Sequence, residues 1–367
     1  MTLTKRLQTS IRQLLVLSFL LGSTSHCTQQ AVEKKAAGPC RIKQIDEKAT
    51  VRQANKTLEE TTDQTIYEYD GQGRISRVAR HYEKRLAGQS AVVYSYAENT
   101  SYVYDDAGFL TAQSSDAHWS PSDGPTSTNT RTSQYTYAYT NGRLTQQINR
   151  QTNPYGLQTR TASTYKYDAT GSLTTRTDET TYPVIPASAP EKPASATGST
   201  AEWTYQNGKT IDYVERQGGV DVHPYAFQNG FLQTQTGANY RSVFTYDSQG
   251  HRIKQEFWVN DQLHSYTDYT YAQAQLPPGL PPGNFNGFPT VVNIAGVPGV
   301  MSASTHYDTF STGPLMKASN SQVQLKLTNA GYVQSSDQVT TTYQNAAGTV
   351  LSQLTSTTTY TLDGSCD

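Results

Sequence analysis

Tyr67-Glu68-Tyr69-Asp70-Gly71-Gln72-Gly73-Arg74-Ile75 decides the fold of this 367-residue chain, because it keeps returning. The same pattern stands at Tyr102-Val103-Tyr104-Asp105-Asp106-Ala107-Gly108-Phe109-Leu110 and at Tyr165-Lys166-Tyr167-Asp168-Ala169-Thr170-Gly171-Ser172-Leu173. A looser copy is Phe244-Thr245-Tyr246-Asp247-Ser248-Gln249-Gly250-His251-Arg252. A recurring unit of this kind fixes an architecture before it names a reaction. The two aromatics, at i and i+2, share one face of an extended strand. Asp then opens a turn by accepting backbone N–H groups, and Gly closes it in the left-handed region as a bulge. That geometry sets Tyr69 opposite Ile75, Tyr104 opposite Leu110 and Tyr167 opposite Leu173, with Asp70 and Arg74 as an ion pair across the loop. Each such cross-strand pair is worth roughly 0.2–1 kcal/mol.

The registry survives a shorter turn. Asn141-Gly142 sets Tyr139 against Leu144, Asn229-Gly230 sets Phe227 against Leu232, and Asn207-Gly208 sets Tyr205 against Thr210. Further on, Leu327 faces Val333 across a loop ending in Gly331. Seven hairpins thus agree in turn chemistry and six in apolar pairing. The expected fold is all-β: a long twisted antiparallel meander of some 16–20 strands, mostly single-layer or partly closed.

Composition agrees. Tyr is abundant at 26 residues, only 16% of residues are charged, and the polarity comes from Thr, Ser, Gln and Asn, which suit strands with a wet face. Residues 1–26 read as an export signal, with Lys5, Arg6 and Arg12 ahead of a short apolar run, Leu14–Leu21. Cys27 follows small residues and is expected to become the lipidated N-terminus, with residues 27–39 as a tether. Cys40 and Cys366 remain as an even pair in an exported chain and are expected to form a disulfide. They bracket one domain, residues 40–367. Within it, Val51–Glu60 reads as a short helix or loop. Three loops interrupt the hairpins: 114–130, 183–200 and 276–315. Removing the signal takes three of the 29 Lys and Arg and none of the 30 acids, leaving a mildly acidic chain with no case for nucleic acid.

No motif calls for a cofactor or a metal. The histidines are scattered, and there is no P-loop, G-x-S-x-G or H-E-x-x-H. The repeat carboxylates Asp70, Asp105, Asp106, Asp168 and Asp247 are expected to cap turns rather than cleave glycans. The aromatic stripe (Tyr67, Tyr69, Tyr102 and Tyr104 foremost) reads first as packing on cross-strand Leu and Ile, and second as a platform for a ligand. Trp119, in a polar loop, reads equally as an exposed contact residue and as a ring docked back onto the sheet.

These repeats resemble the YD-repeat family, related to the Rhs and toxin-complex repeat proteins. The resemblance covers Thr61–Gln255 firmly and the C-terminal strands loosely. It implies a sheet in which each repeat adds a hairpin, and it brings no catalytic residue. The chain is similar to small YD-repeat envelope lipoproteins, which implies an outer-membrane location on the periplasmic or surface side. The functional expectation is a non-enzymatic binding or scaffolding protein, with a glycan or protein ligand at a concave aromatic face. The alternatives are a glycan-cleaving enzyme or the partner of a YD-repeat toxin.

Overall fold

A computed structural model describes residues 40–53, 56–120, 129–182, 198–217, 219–274, 300–309, 315–343 and 349–363. No helix occurs among them. The chain runs up and down through β1 (Arg41–Gln53), β2 (Lys56–Tyr69), β3 (Ile75–Leu86), β4 (Val92–Tyr104) and β5 (Leu110–Ser120). It continues through β6 (Thr130–Thr140), β7 (Arg143–Thr152), β8 (Gln158–Tyr167), β9 (Leu173–Thr181) and β10 (Ser199–Gln206). Next come β11 (Lys209–Gln217), β12 (Val220–Val222), β13 (Tyr225–Gln228), β14 (Phe231–Thr236) and β15 (Tyr240–Tyr246). The remainder is β16 (Arg252–Val259), β17 (Gln262–Tyr271), β18 (Met301–Asp308), β19 (Met316–Leu327), β20 (Val333–Tyr343) and β21 (Val350–Asp363).

All 21 belong to one antiparallel sheet. The first and last strands pair, Arg41 opposite Asp363 through Arg52 opposite Gln353. The ladder is therefore continuous from β12 back through β1, across to β21 and down to β13. Those two edge strands are consecutive in the chain, separated by His223 and Pro224. No ladder joins them among the described residues, so the sheet is not closed into a barrel. Tyr225 of β13 instead lies ring-on-ring with Tyr213 of β11 at 4.9 Å. Proline, which has no N–H to give, stands at this break.

Every pairing expected from the repeats is present: Tyr69–Ile75, Tyr104–Leu110, Tyr139–Leu144, Tyr167–Leu173, Tyr205–Thr210, Phe227–Leu232 and Leu327–Val333. A register shift sits beside each one, the bulge that the turn imposes. Asp70 Oδ1 accepts N–H bonds from Gln72 and Arg74, both 2.9 Å, and its other oxygen meets the Arg74 guanidinium at 2.7 Å. Asp168 and Asp247 repeat the two backbone bonds, and Asp105 accepts one from Phe109. In a meander alternate turns fall on the same side, so all seven of these hairpins line one rim of the sheet.

The structure adds a contact that links one repeat to the next. The Tyr139 hydroxyl donates to the carbonyl of Leu110, the aliphatic residue of the preceding repeat, at 2.8 Å. Tyr69 does the same to Ile42, Tyr104 to Ile75, Tyr167 to Leu144, Tyr246 to Leu232 and Tyr271 to Arg252, at 2.6–2.9 Å. The residue just before each acceptor covers the donor's ring. Arg41, Arg74 and Arg143 lie over Tyr69, Tyr104 and Tyr167. Phe109, Phe231 and His251 lie beside Tyr139, Tyr246 and Tyr271 at 4.9–5.0 Å. Among the aliphatic acceptors, Ile42, Leu110 and Leu144 are thereby sealed between rings, while Ile75 and Leu232 are half-buried. Ile42, Leu110, Leu144 and Val333 are fully buried or nearly so. Leu144, Tyr165, Leu173 and Tyr205 form one such cluster, against which Tyr137, Tyr139, Tyr167 and Trp203 pack. The core is a belt within a single layer, not a space between layers.

Three sequence expectations need correction. Val51–Gln53 and Lys56–Glu60 are neither helix nor loop but the paired ends of β1 and β2, while residues 54 and 55 lie outside the described residues. Within 114–130, Ser114–Ser120 continues β5, so Trp119 sits on a strand rather than in a loop. Within 276–315, Met301–Asp308 is a strand paired on both sides. The remaining parts of 114–130, 183–200 and 276–315 lie largely outside the described residues, as do Cys27 and Cys366.

Replacing Leu144 by Ala is expected to lower the unfolding free energy by about 2–5 kcal/mol, the usual cost of emptying a filled core position. Val103→Ala, at an exposed site on the other face, is expected to change it by less than about 0.5 kcal/mol. Urea unfolding followed by circular dichroism measures both; equal effects would contradict a one-sided core.

Candidate functional site

Register and pleat sort the side chains onto two faces. Tyr67, Tyr69, Tyr102, Tyr104, Tyr135, Tyr137, Tyr165 and Tyr167 share one of them, called here the tyrosine face. The four tyrosines singled out in the sequence are occupied with one another and with the fold. Tyr69 and Tyr104 are tethered through their hydroxyls and roofed by arginines. Tyr67 is buried, and burial, helped by neighbouring Tyr69, pushes its hydroxyl up to about 12. Burial also raises Tyr102. Trp119 lies on the same face opposite Tyr96, with only 8% of its surface exposed. Of the two readings of Trp119 the docked ring is the one found, on a strand rather than a loop.

Further from the Asp/Asn–Gly rim the tyrosine face opens into a recess of about 720 Å³ lined by Arg80, Tyr82, Lys84, Val93, Tyr94 and Tyr96. β3 and β4 build it by simple alternation: Tyr82 faces Tyr96 and Lys84 faces Tyr94 across the ladder. The Tyr82 and Tyr94 rings meet edge to face at 6.0 Å. Each cation is already matched. Arg80 grips Asp63 with two nitrogens, and Lys84 Nζ lies 2.7 Å from Glu59. The Tyr96 hydroxyl donates to Glu98 at 2.7 Å, and the Ser115 hydroxyl donates to the other Glu98 oxygen at 2.6 Å. Burial, then that carboxylate, push Tyr96 up to about 12. Trp119, opposite Tyr96 across the ladder, does not line the recess, and its indole N–H is buried without a hydrogen-bond partner among the described residues. The sequence signal for this site was Arg80-His81-Tyr82-Glu83-Lys84 facing Tyr94-Ser95-Tyr96. It carries no Asp or Gly, so the repeat pattern passed over it.

The repeat carboxylates do not converge. Burial opposes ionisation of Asp70, but the N–H of Arg74, its guanidinium and the N–H of Gln72 outweigh it and hold the group below the usual carboxylate range. Asp247 has the same balance with His251 and Gln249. For Asp168 the Thr170 hydroxyl leads, with the Ser172 N–H behind it. Elsewhere, Asp308 lies between His264 and His306, each imidazole 3.9 Å away, too far for a hydrogen bond.

The opposite face is polar along nearly every strand. Gln44 and Gln64 donate to Asp46, Arg77 pairs with Glu68 and Asn99, and Lys254 pairs with Glu256.

No protein-family model matches the chain, and no curated protein matches it. Among solved structures, the chain is similar to a porin-like protein from Bacteroides uniformis. Identity there is 12%, over 88% of this chain and 96% of that one, with a TM-score of 0.36. A second is the translocator domain of the autotransporter NalP from Neisseria meningitidis, at 8% identity over 96% and 95%, with a TM-score of 0.12. At these scores neither likeness carries an argument about this chain.

The raised tyrosines are expected to set the alkaline limit of the fold. A group whose folded value exceeds its unfolded value of about 10 stabilises fully below that pH and loses the contribution as pH rises through the folded value. Tyr67, Tyr96, Tyr104, Tyr167, Tyr205 and Tyr213 are all pushed up to about 12, with burial the first cause in each. Absorbance at the phenolate band is expected to rise in two phases, the later one coinciding with loss of β circular dichroism as pH climbs from about 10 to about 12. A single phase centred at the ordinary tyrosine value, with the fold intact, would contradict this burial.

Proposed function

We propose that this chain is a cell-envelope lipoprotein of the YD-repeat type that binds a ligand without cleaving it. The observation that carries binding is the open recess over β3 and β4, aromatic at its centre and polar at its edges. A glycan-cleaving site needs two carboxylates across one cleft, about 5–10 Å apart. Asp70, Asp168 and Asp247 are each spent on two N–H groups of their own turn, and Asp105 on one. Glu47 and Asp63, which face each other on β1 and β2, come nearer to that arrangement, but Asp63 is held by Arg80. Tight turns linked by tethers make a stiff frame, which suits a site that must keep its shape.

Cys27 is read as the lipid anchor and the sheet as water-exposed on both faces. What supports this is the charge spread over the opposite face. Each Arg or Lys turned to the middle of a bilayer would cost about 2–4 kcal/mol. The outer membrane is the proposed location, on its periplasmic or surface side. Cys40 and Cys366 are read as a disulfide. The Arg41–Asp363 pairing supports it, because Arg41 follows Cys40 and Asp363 stands three positions before Cys366 in the sequence. Such a bridge would fasten the strand pair that joins the first repeat to the last, and so long a loop is worth up to about 5 kcal/mol.

Peptide mapping of the chain purified from membranes, without reduction, tests both assignments. The expected result is an acylated peptide beginning at Cys27 and a linked pair containing Cys40 and Cys366. An unmodified peptide running through Cys27, or free thiols at both other positions, would overturn the respective assignment.

A further inference from the structure

We propose that the recess on β3 and β4 is a subsite for a neutral saccharide, a reading that rests on the binding function above and names its ligand. Two observations converge on that chemistry. Tyr82, Tyr94 and Tyr96 present aromatic surface, the usual partner of the C–H faces of a sugar ring. Around them stand matched ion pairs, Arg80 with Asp63 and Lys84 with Glu59, which offer donors and acceptors together and no net charge.

Other ligands fit less well. An anionic ligand would have to compete with Asp63 and Glu59 for the cations. An extended peptide added as a strand needs an open backbone edge. β3 is laddered to β2 and β4, and β4 to β3 and β5, so this region has none. A purely apolar ligand would strip water from both ion pairs without replacing its hydrogen bonds.

The test is an array of neutral oligosaccharides probed with the full exported chain in detergent. Uronate-bearing and sulfated oligosaccharides and extended peptides serve as comparison sets. Whatever neutral sugar binds is then titrated against Tyr82→Ala, Tyr94→Ala and Trp119→Phe, each first shown by urea unfolding to remain folded. Trp119→Phe changes a ring outside the recess lining and serves as the control. The expected result is binding of a neutral sugar, weakened about tenfold or more by either tyrosine change and changed less than about twofold by Trp119→Phe. Absence of any neutral sugar among the hits, or undiminished affinity in both tyrosine variants, would overturn the assignment. Uronates or peptides bound with the same variant sensitivity would overturn it while leaving the binding function standing. Release of new reducing ends from a bound sugar would leave the saccharide assignment standing and overturn the non-cleaving reading.

Discussion

The tyrosine hydroxyl bonded to the backbone carbonyl of the repeat before it is the contact on which the rest of this structure depends. A hairpin alone is marginal in water, because one ladder does not offset the entropy of ordering two strands. A single-layer sheet has no second layer against which to bury its apolar face. Here each repeat supplies the missing cover from within the sheet. One residue roofs the next tyrosine ring, the following residue accepts its hydroxyl, and the aliphatic side chain between them is sealed. Tyr67 and Tyr165 are thus as buried as rings in a globular core. The contact also gives a meaning to the repeat's last two positions, Arg74-Ile75, Phe109-Leu110 and Arg143-Leu144, that no single hairpin explains.

Much of this was legible in the sequence. Asp or Asn followed by Gly at a fixed distance from an aromatic dictates a turn, and the turn dictates which residues face each other. Those pairings are all found. What could not be read was contact between repeats, since it depends on how far the sheet coils between one hairpin and the next. The β1–β21 pairing was hidden for a related reason: residues more than 300 apart in sequence share no local signal. Val51–Glu60 misled because its Glu, Lys and Ala content suits a helix, whereas strands on both sides overrode that preference. Trp119 misled because Ser, Asp and Pro surround it, yet its alternation with Ala117 and Ser115 continues the face that Tyr96 shares.

The candidate site was the least legible part. Attention falls on the repeats, but these use their tyrosines and carboxylates to hold themselves together. The side chains of the proposed site lie further along the strands, where the same alternation carries Arg80, Tyr82, Lys84, Tyr94 and Tyr96 without a turn to mark them. The Asp/Asn–Gly rim carries the repeated corners that fix the shape, together with the long connection between β17 and β18, while the other rim varies in loop length and in the residues it presents. Function is expected where repetition stops.

The most direct test of the tether is equilibrium urea unfolding of Tyr104→Phe, Tyr139→Phe and Tyr167→Phe beside Tyr155→Phe, whose ring is exposed in a turn. Each of the first three removes one oxygen and strands a carbonyl, so each is expected to lose about 1–3 kcal/mol, with Tyr155→Phe unchanged within about 0.5 kcal/mol. Four equally stable variants would contradict the claim that the hydroxyl contacts hold successive hairpins together.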